Sequence, residues 1–322
     1  MKTRSQGVPE PADFELTTGE AGTPVEGKML CKTLFISLDP YLRGKISGRH
    51  MSGAIQPGEL MLSETVSQVL ESQHPDFREG DIVAAFTGWE EYPIVDGALA
   101  RKVDPSLGPV STTLGILGMP GLTAYAGLLR LGEPKAGDTV LVSAATGPVG
   151  SMVGQIARIK GCRVVGVAGS ERKCAWAVEE AGFAACINYK TQDVREALKE
   201  SCPDGIDVYF DNVGGDLLQA AMEQLAIGAR VVLCGLMAQY NSDDMPPGPN
   251  PAWTIIARAT VRGMVVYDHE DARADFEEAV SGWLRDGLIH FLEDSVDGIE
   301  NAPDHFCRLM RGENVGKAMV AL

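Results

Sequence analysis

A short apolar run, TVLVS at residues 139–143, leads into the turn AATGPVG and then into SMVGQIARIK. Three small residues punctuate the turn, Ala145, Gly147 and Gly150, with Pro148 and Val149 between the last two. A dinucleotide site needs small residues at three such places: in the turn, where backbone approaches a pyrophosphate, and where helix meets strand. Helix amides and the positive end of the helix dipole then face the phosphates. Alanine in the first place departs from the strict glycine pattern, while Gly154, one helical turn later, keeps the helix close to the sheet. A glycine turn that merely tightens packing has the same spacing. Its place after an apolar strand, inside a repeated alternation of strands and helices, favours the nucleotide reading.

A site for NAD usually carries a carboxylate about 20 residues past the glycines, where it binds both ribose hydroxyls. Counted from Gly147, that place falls on Ala168, and Gly169, Ser170, Arg172 and Lys173 follow. A hydroxyl and two cations suit a 2′-phosphate, so NADP(H) is favoured. Ser170 also fits the N-cap of a solvated helix that begins Glu171, Arg172, Lys173, and both roles stay open.

These residues need a scaffold. The 322-residue chain has room for two domains of roughly 100–200 residues each. Hydrophobic residues make up 45% and charged residues 22%, which fits a globular protein and argues against disorder. The 44 acidic against 28 basic residues give a net charge of -16, which repels phosphate backbones and anionic lipid, so nucleic acid is not an expected partner. No apolar run reaches roughly 18 residues, so no membrane span is expected. Residues 1–16 lack the apolar stretch of a secretory signal. The seven cysteines, Cys31, Cys162, Cys174, Cys186, Cys202, Cys234 and Cys307, form no C-x-x-C pair, and the five histidines stand apart. Free thiols in a reducing cytoplasm, with no metal site, are the expectation.

Residues 30–101 read as short β-like runs (MLCKTLFISL, LSETVSQVLES, DIVAAF, EEYPIV) cut by Gly, Pro and Asp. From residue 138 strands alternate with helices, and the join falls near residues 118–121. In the helix after the glycine turn, Met152, Val153, Ile156 and Ile159 share one face. RVVGVA (163–168), a helix over 171–181, CINY, DVYFD (207–211), a helix around 216–225 and ARVVLCG (229–235) continue the pattern, and 260–266 reads as the last strand of this sheet. The natural assembly is an α/β doubly wound parallel sheet behind a β-rich first domain. A helix over 272–284 and two strand-like pieces, DSVDGI and KAMVAL, around another helix complete the chain, and MPPGPNP (245–251) reads as a stiff loop.

Seven strings together resemble the zinc-independent medium-chain dehydrogenase/reductases, in the group of NADP-dependent alkenal, prostaglandin and curcumin-type reductases. They are SLDPYLRG (37–44), GMPGLTAY (118–125), AATGPVGS (144–151), AGSERK (168–173), YFDNVGG (209–215), QYN (239–241) and GENVGK (312–317). The resemblance implies a GroES-like catalytic domain over 1–118, joined by a C-terminal return over 269–322, and a Rossmann NADP-binding domain over 119–268. It implies hydride transfer from NADPH to the β-carbon of an α,β-unsaturated ketone or aldehyde, an enolate, and protonation at the α-carbon. By motif, Gly147 and Val149 fall at the pyrophosphate; Ser170, Lys173 and Tyr189 surround the 2′-phosphate. Asn212 and Asn314 fall near the nicotinamide half, Tyr240 beside ribose and substrate, and Tyr41 in the substrate pocket. A homodimer through the cofactor domain is the family default.

Those residue types suit the chemistry, because hydride transfer needs alignment and the developing charge sits on the carbonyl oxygen. A phenol can donate to that oxygen, which makes Tyr240 the first electrophilic candidate and Tyr41 the second. Either tyrosine also fits a purely structural role, and Asn212 also fits a turn position that tolerates a left-handed backbone. Quinone reduction is the rival enzymatic reading, and a catalytically weak NADPH-binding sensor is the rival of another class. Against the family pattern, the first strand is shortened at the start, and Ser63 and Glu64 stand where relatives commonly carry glycines.

Overall fold

A computed structural model describes residues 1–242 and 246–322 of the chain. They form two compact units, one of Met1–Gly115 with Glu293–Leu322 and one of Ile116–Leu292. Met245, the first residue of the expected stiff loop, lies outside the described residues.

The first unit opens with residues 1–27, which carry a 3-10 turn at Pro11–Asp13 and, among the described residues, no strand. Then come β1 (Lys28–Ser37), α1 (Leu42–Ser47), β2 (Glu64–Ser72), β3 (Ile82–Phe86), β4 (Ile94–Asp96) and β5 (Arg101–Lys102). Apolar residues on one face of these strands, Met29, Cys31, Val69, Val83 and Val95 among them, close a small core. Helix α1 stops at Gly48, whose φ of 81° is left-handed and costs glycine nothing. Ser63 is buried ahead of β2, where its carbonyl accepts the Thr87 amide at 3.1 Å, and Glu64 opens the strand opposite Phe86.

The second unit holds α2 (Met119–Ala126), β6 (Thr139–Ser143), α3 (Pro148–Ile159), β7 (Arg163–Ala168), α4 (Glu171–Glu179), β8 (Ala185–Asn188), α5 (Val194–Ser201), β9 (Ile206–Asp211), α6 (Gly215–Met222), β10 (Leu225–Leu233), α7 (Ala252–Ala257), β11 (Thr260–Gly263) and α8 (Arg273–Arg285). Its six strands run in the order β11-β10-β9-β6-β7-β8, and every pair is parallel. The order reverses between β6 and β9, the switch point at which doubly wound sheets open a crevice beyond their carboxyl ends. The strand expected over 260–266 stops at Gly263, and a 3-10 helix begins at Val266.

The chain returns to the first unit with β12 (Glu293–Asp297), α9 (Ala302–Met310) and β13 (Lys317–Ala321), giving a sheet ordered β12-β13-β1-β2-β3-β5 with β4 beside β1. The return starts at Glu293 and not at residue 269. Helix α8 stays with the second unit because its Phe276 is fully buried and meets Tyr125 of α2 edge-on at 5.8 Å.

Candidate active site

After β6 the chain turns at Ala144, whose φ of 50° is left-handed, and the Gly147 amide donates to the Ala144 carbonyl at 2.9 Å. Gly147 caps α3, and Pro148 takes the first helical position, where a missing N–H is harmless. A Cβ on Gly150 would lie 2.3 Å from the Ala144 carbonyl oxygen, so the helix can sit this close to the turn only with glycine there. A Cβ on Gly154 would come within 2.0 Å of the Phe183 ring, so what glycine allows there is a close approach of α3 to the segment between α4 and β8 and not to the sheet itself. The first-turn amides of Val149 and Gly150 have no acceptor within the helix, and the positive end of a 12-residue helix reinforces them. That is a fit for a diphosphate.

Ala145 departs from its expected part among the cofactor-binding residues. It is fully buried, and its amide donates to the Val167 carbonyl at 3.0 Å. A Cβ on Gly166 of β7 would come within 2.7 Å of the Ala145 methyl. The Ala145 methyl is accommodated by the absence of a side chain at Gly166 on the neighbouring strand. Ala145 shapes the turn and has no surface to offer a ligand.

At the switch point, Asn212 donates its backbone amide to Ser143 Oγ at 2.7 Å and its Nδ2 to the Ser143 carbonyl at 2.9 Å. Buried Asp211 accepts from Ser143 Oγ at 2.9 Å and from the Tyr209 hydroxyl at 2.7 Å, and also from the amides of Val213 and Gly214. These bonds tie the ends of β6 and β9 together and start α6. Asn212 is a turn residue without a left-handed backbone, a property that falls instead on Gly214, with φ of 72°. Nothing in the sequence marks Ser143 as its partner.

Strand β7 ends at Ala168, and no carboxylate closes it. Ser170 caps α4 by accepting the Lys173 amide at 3.3 Å, so its capping role is realised. A hydroxyl has two acceptor lone pairs and one donor, and the cap leaves the O–H available to a phosphate. Tyr189 follows β8 and leans over Gly169, where a Cβ would lie 2.9 Å from its hydroxyl oxygen. Gly169, Ser170, Lys173 and Tyr189 are thereby gathered at one end of β7, with Ser170 and Lys173 on one helical turn. Sequence reasoning missed Glu171, whose carboxylate accepts Asn188 Nδ2 at 2.6 Å beside this group.

Tyr240 ends a 3-10 turn, Met237–Gln239, just beyond β10. Its hydroxyl accepts the Leu236 amide at a long 3.5 Å and lies over Gly235. Burial pushes the phenol above its ordinary value of 10.0, so it stays a neutral donor.

Tyr41 and Asn314 belong to the first unit. Tyr41 precedes α1 and packs its ring against His50 at 5.4 Å. Asn314 donates Nδ2 to the Gly316 carbonyl at 2.8 Å, a bond within its own loop. The flanking string residues are structural: Arg43, fully buried, donates to the carbonyls of Gly7 and Ser5, while Asp39 pairs with Lys317. Among the described residues no three His, Cys, Asp or Glu side chains gather into a metal-ligating group. Nor is any described helix long and apolar enough to cross a membrane.

Residues 148–283 match a family model described as "Zinc-binding dehydrogenase", and residues 1–103 match an "N-terminal domain of oxidoreductase". The chain is 42% identical to the NADPH-dependent curcumin reductase of Escherichia coli, over 99% of this chain and 95% of that one. It is also 42% identical to prostaglandin reductase 1 of Bos taurus, over 99% and 97%. Among solved structures, CurA of Vibrio vulnificus in complex with NADPH matches with a TM-score of 0.94 and 44% identity, over 99% of this chain and 97% of that one. The family model's description mentions zinc, but the described residues supply no ligand set for it. The chain belongs to the zinc-binding dehydrogenase family, in the group of NADP-dependent medium-chain reductases that contains the curcumin and prostaglandin reductases.

Proposed function

We propose that this protein reduces the carbon-carbon double bond of α,β-unsaturated ketones and aldehydes with NADPH. It is an NADP-dependent oxidoreductase. The observation that carries the cofactor reading is the end of β7, where the strand closes on Ala168 and not on a carboxylate and where Ser170, Lys173 and Tyr189 gather beside Gly169. Reduced nicotinamide, when bound, supplies a hydride to the β-carbon of the conjugated system. The Gly147–Pro148–Val149–Gly150 turn and the amides of α3 hold the diphosphate, and Ser170 and Lys173 hold the 2′-phosphate with Tyr189 as a wall. As negative charge moves onto the substrate carbonyl oxygen, the Tyr240 hydroxyl donates to it and stabilises the enolate. Tyr41 is assigned to substrate contact; Asn212 and Asn314 are assigned to the nicotinamide half. Their side-chain amides are already engaged locally, and Asn212 is the residue whose anchoring to Ser143 sets the shape of the switch-point turn.

The proposal includes a homodimer formed through the cofactor-binding unit and a cytoplasmic location. The deciding experiment follows oxidation of NADPH and of NADH with a panel of enones, enals and quinones, using cofactor deuterated at the transferred position. Saturated product with deuterium on the β-carbon, formed faster from NADPH, is expected. Turnover of quinones alone, or a preference for NADH, would reject the assignment, and cofactor binding without turnover would identify a sensor.

A further inference from the structure

We infer that Glu171 is a specificity-determining positioning residue for NADPH, acting as a latch that holds Tyr189 in place. The inference rests on the reading that Tyr189, Ser170 and Lys173 form the 2′-phosphate site. A glutamate one residue past Ser170 looks unfavourable for that site, because its charge has the sign of the phosphate. The structure turns the carboxylate to another use. Glu171 Oε1 accepts Asn188 Nδ2 at 2.6 Å and Thr191 Oγ1 at 3.3 Å, bonds that span 17 and 20 residues of chain and join the start of α4 to the loop after β8.

That loop is built around Asn188, which is buried. Its amide donates to Gln192 Oε1 at 2.8 Å, its Oδ1 accepts the Lys190 amide at 3.2 Å, and its carbonyl accepts the amides of Thr191 and Gln192. Tyr189 sits inside this turn, with its own amide on the Ala168 carbonyl at 3.1 Å and its ring against Gly169. The tyrosine is itself half exposed, at 51%, so packing alone does not fix the ring. The turn beneath it carries the ring, and Glu171 hydrogen-bonds that turn to the helix carrying Ser170 and Lys173. The hydrogen bonds from Asn188 and Thr191 also occupy the carboxylate oxygen and blunt its repulsion of a phosphate.

Two roles for Glu171 predict opposite signs. If the carboxylate acted by repulsion alone, Glu171→Ala and Glu171→Gln would both tighten NADPH binding. If it acts as a latch, Glu171→Ala frees the turn and weakens NADPH, whereas Glu171→Gln keeps a carbonyl oxygen that accepts the same two donors.

The test is titration of the full-length protein and both variants with NADPH and with NADH, read by protein fluorescence, together with amide hydrogen exchange at Lys190, Thr191 and Gln192. We expect Glu171→Ala to lower the preference for NADPH over NADH about fivefold or more and to speed exchange at those amides. Glu171→Gln should hold both near the wild-type values. Tighter NADPH binding in both variants, or an unchanged preference in Glu171→Ala, overturns the latch. If the unmodified protein itself showed no preference for NADPH, the phosphate reading would fail, and the latch would be judged on exchange alone. Faster exchange in Glu171→Ala but not in Glu171→Gln would then sustain it as a structural tie, and equal exchange in all three proteins would refute it.

Discussion

Lys317 Nζ lies 2.6 Å from Asp39 Oδ1 in the interior of the first unit, and the two residues are 278 positions apart in the chain. Lys317 also donates to the Leu38 carbonyl at 3.0 Å, and Ser37 donates to the second oxygen of Asp39. With side-chain exposures of 2% and 5%, neither charge has water to fall back on. The pair joins the string that carries Tyr41 to the string that carries Asn314. Removing one partner of such a pair leaves the other buried and uncompensated. Lys317→Met should therefore cost about 3–5 kcal/mol in urea unfolding. Adding Asp39→Asn to Lys317→Met should recover part of that loss; additive losses would show that the two side chains are not coupled.

Lys173→Ala should weaken NADPH about ten- to hundredfold, the worth of a charge-assisted bond to phosphate, and change NADH less than about twofold. Paired calorimetric titrations read both constants. Equal losses for the two cofactors would remove Lys173 from the phosphate site.

Tyr240→Phe deletes the proposed donor to the enolate oxygen and leaves the aromatic ring. We expect kcat to fall about ten- to hundredfold while the NADPH dissociation constant stays within about twofold. Because burial raises the phenol above its ordinary 10.0, the neutral donor form is full at low pH and is lost only as the pH rises through the raised value. The wild-type kcat profile should accordingly carry no Tyr240 ionisation between neutrality and about pH 10. A basic limb in that window that disappears in Tyr240→Phe would contradict the assignment.

Gly150→Ala would place a methyl 2.3 Å from the Ala144 carbonyl oxygen. Helix α3 must then move off the turn, at a cost of about 1–3 kcal/mol. The first-turn amides proposed to hold the diphosphate move with it, so NADPH and NADH should both weaken. A thermal melt and a titration on the same sample check the two effects, and unchanged affinity would mean that α3 does not hold the diphosphate.

Much of the second unit was legible in the sequence because its signals are local. The runs TVLVS and RVVGVA coincide with β6 and β7, since buried parallel strands are continuous apolar runs and the glycine turn ends the first of them. The missing carboxylate after β7 and the serine cap of α4 are likewise features of adjacent residues. The burial of Ala145 is not legible in the sequence, because the residue that makes room for its methyl, Gly166, is on another strand. The point at which the chain returns to the first unit, Glu293, is not legible either, because packing around Phe276 and Tyr125 decides which unit keeps α8.

By itself the sequence determined the alternation of elements, the glycine turn between β6 and α3, and the absence of a carboxylate at the end of β7, all of which depend on spacing along the chain. Tertiary structure alone decided that Asn212 is anchored to Ser143, that Glu171 reaches Asn188 and that Asp39 meets Lys317. A buried polar group must find a partner wherever the fold supplies one, and spacing along the chain carries no record of neighbours that folding brings from tens or hundreds of residues away.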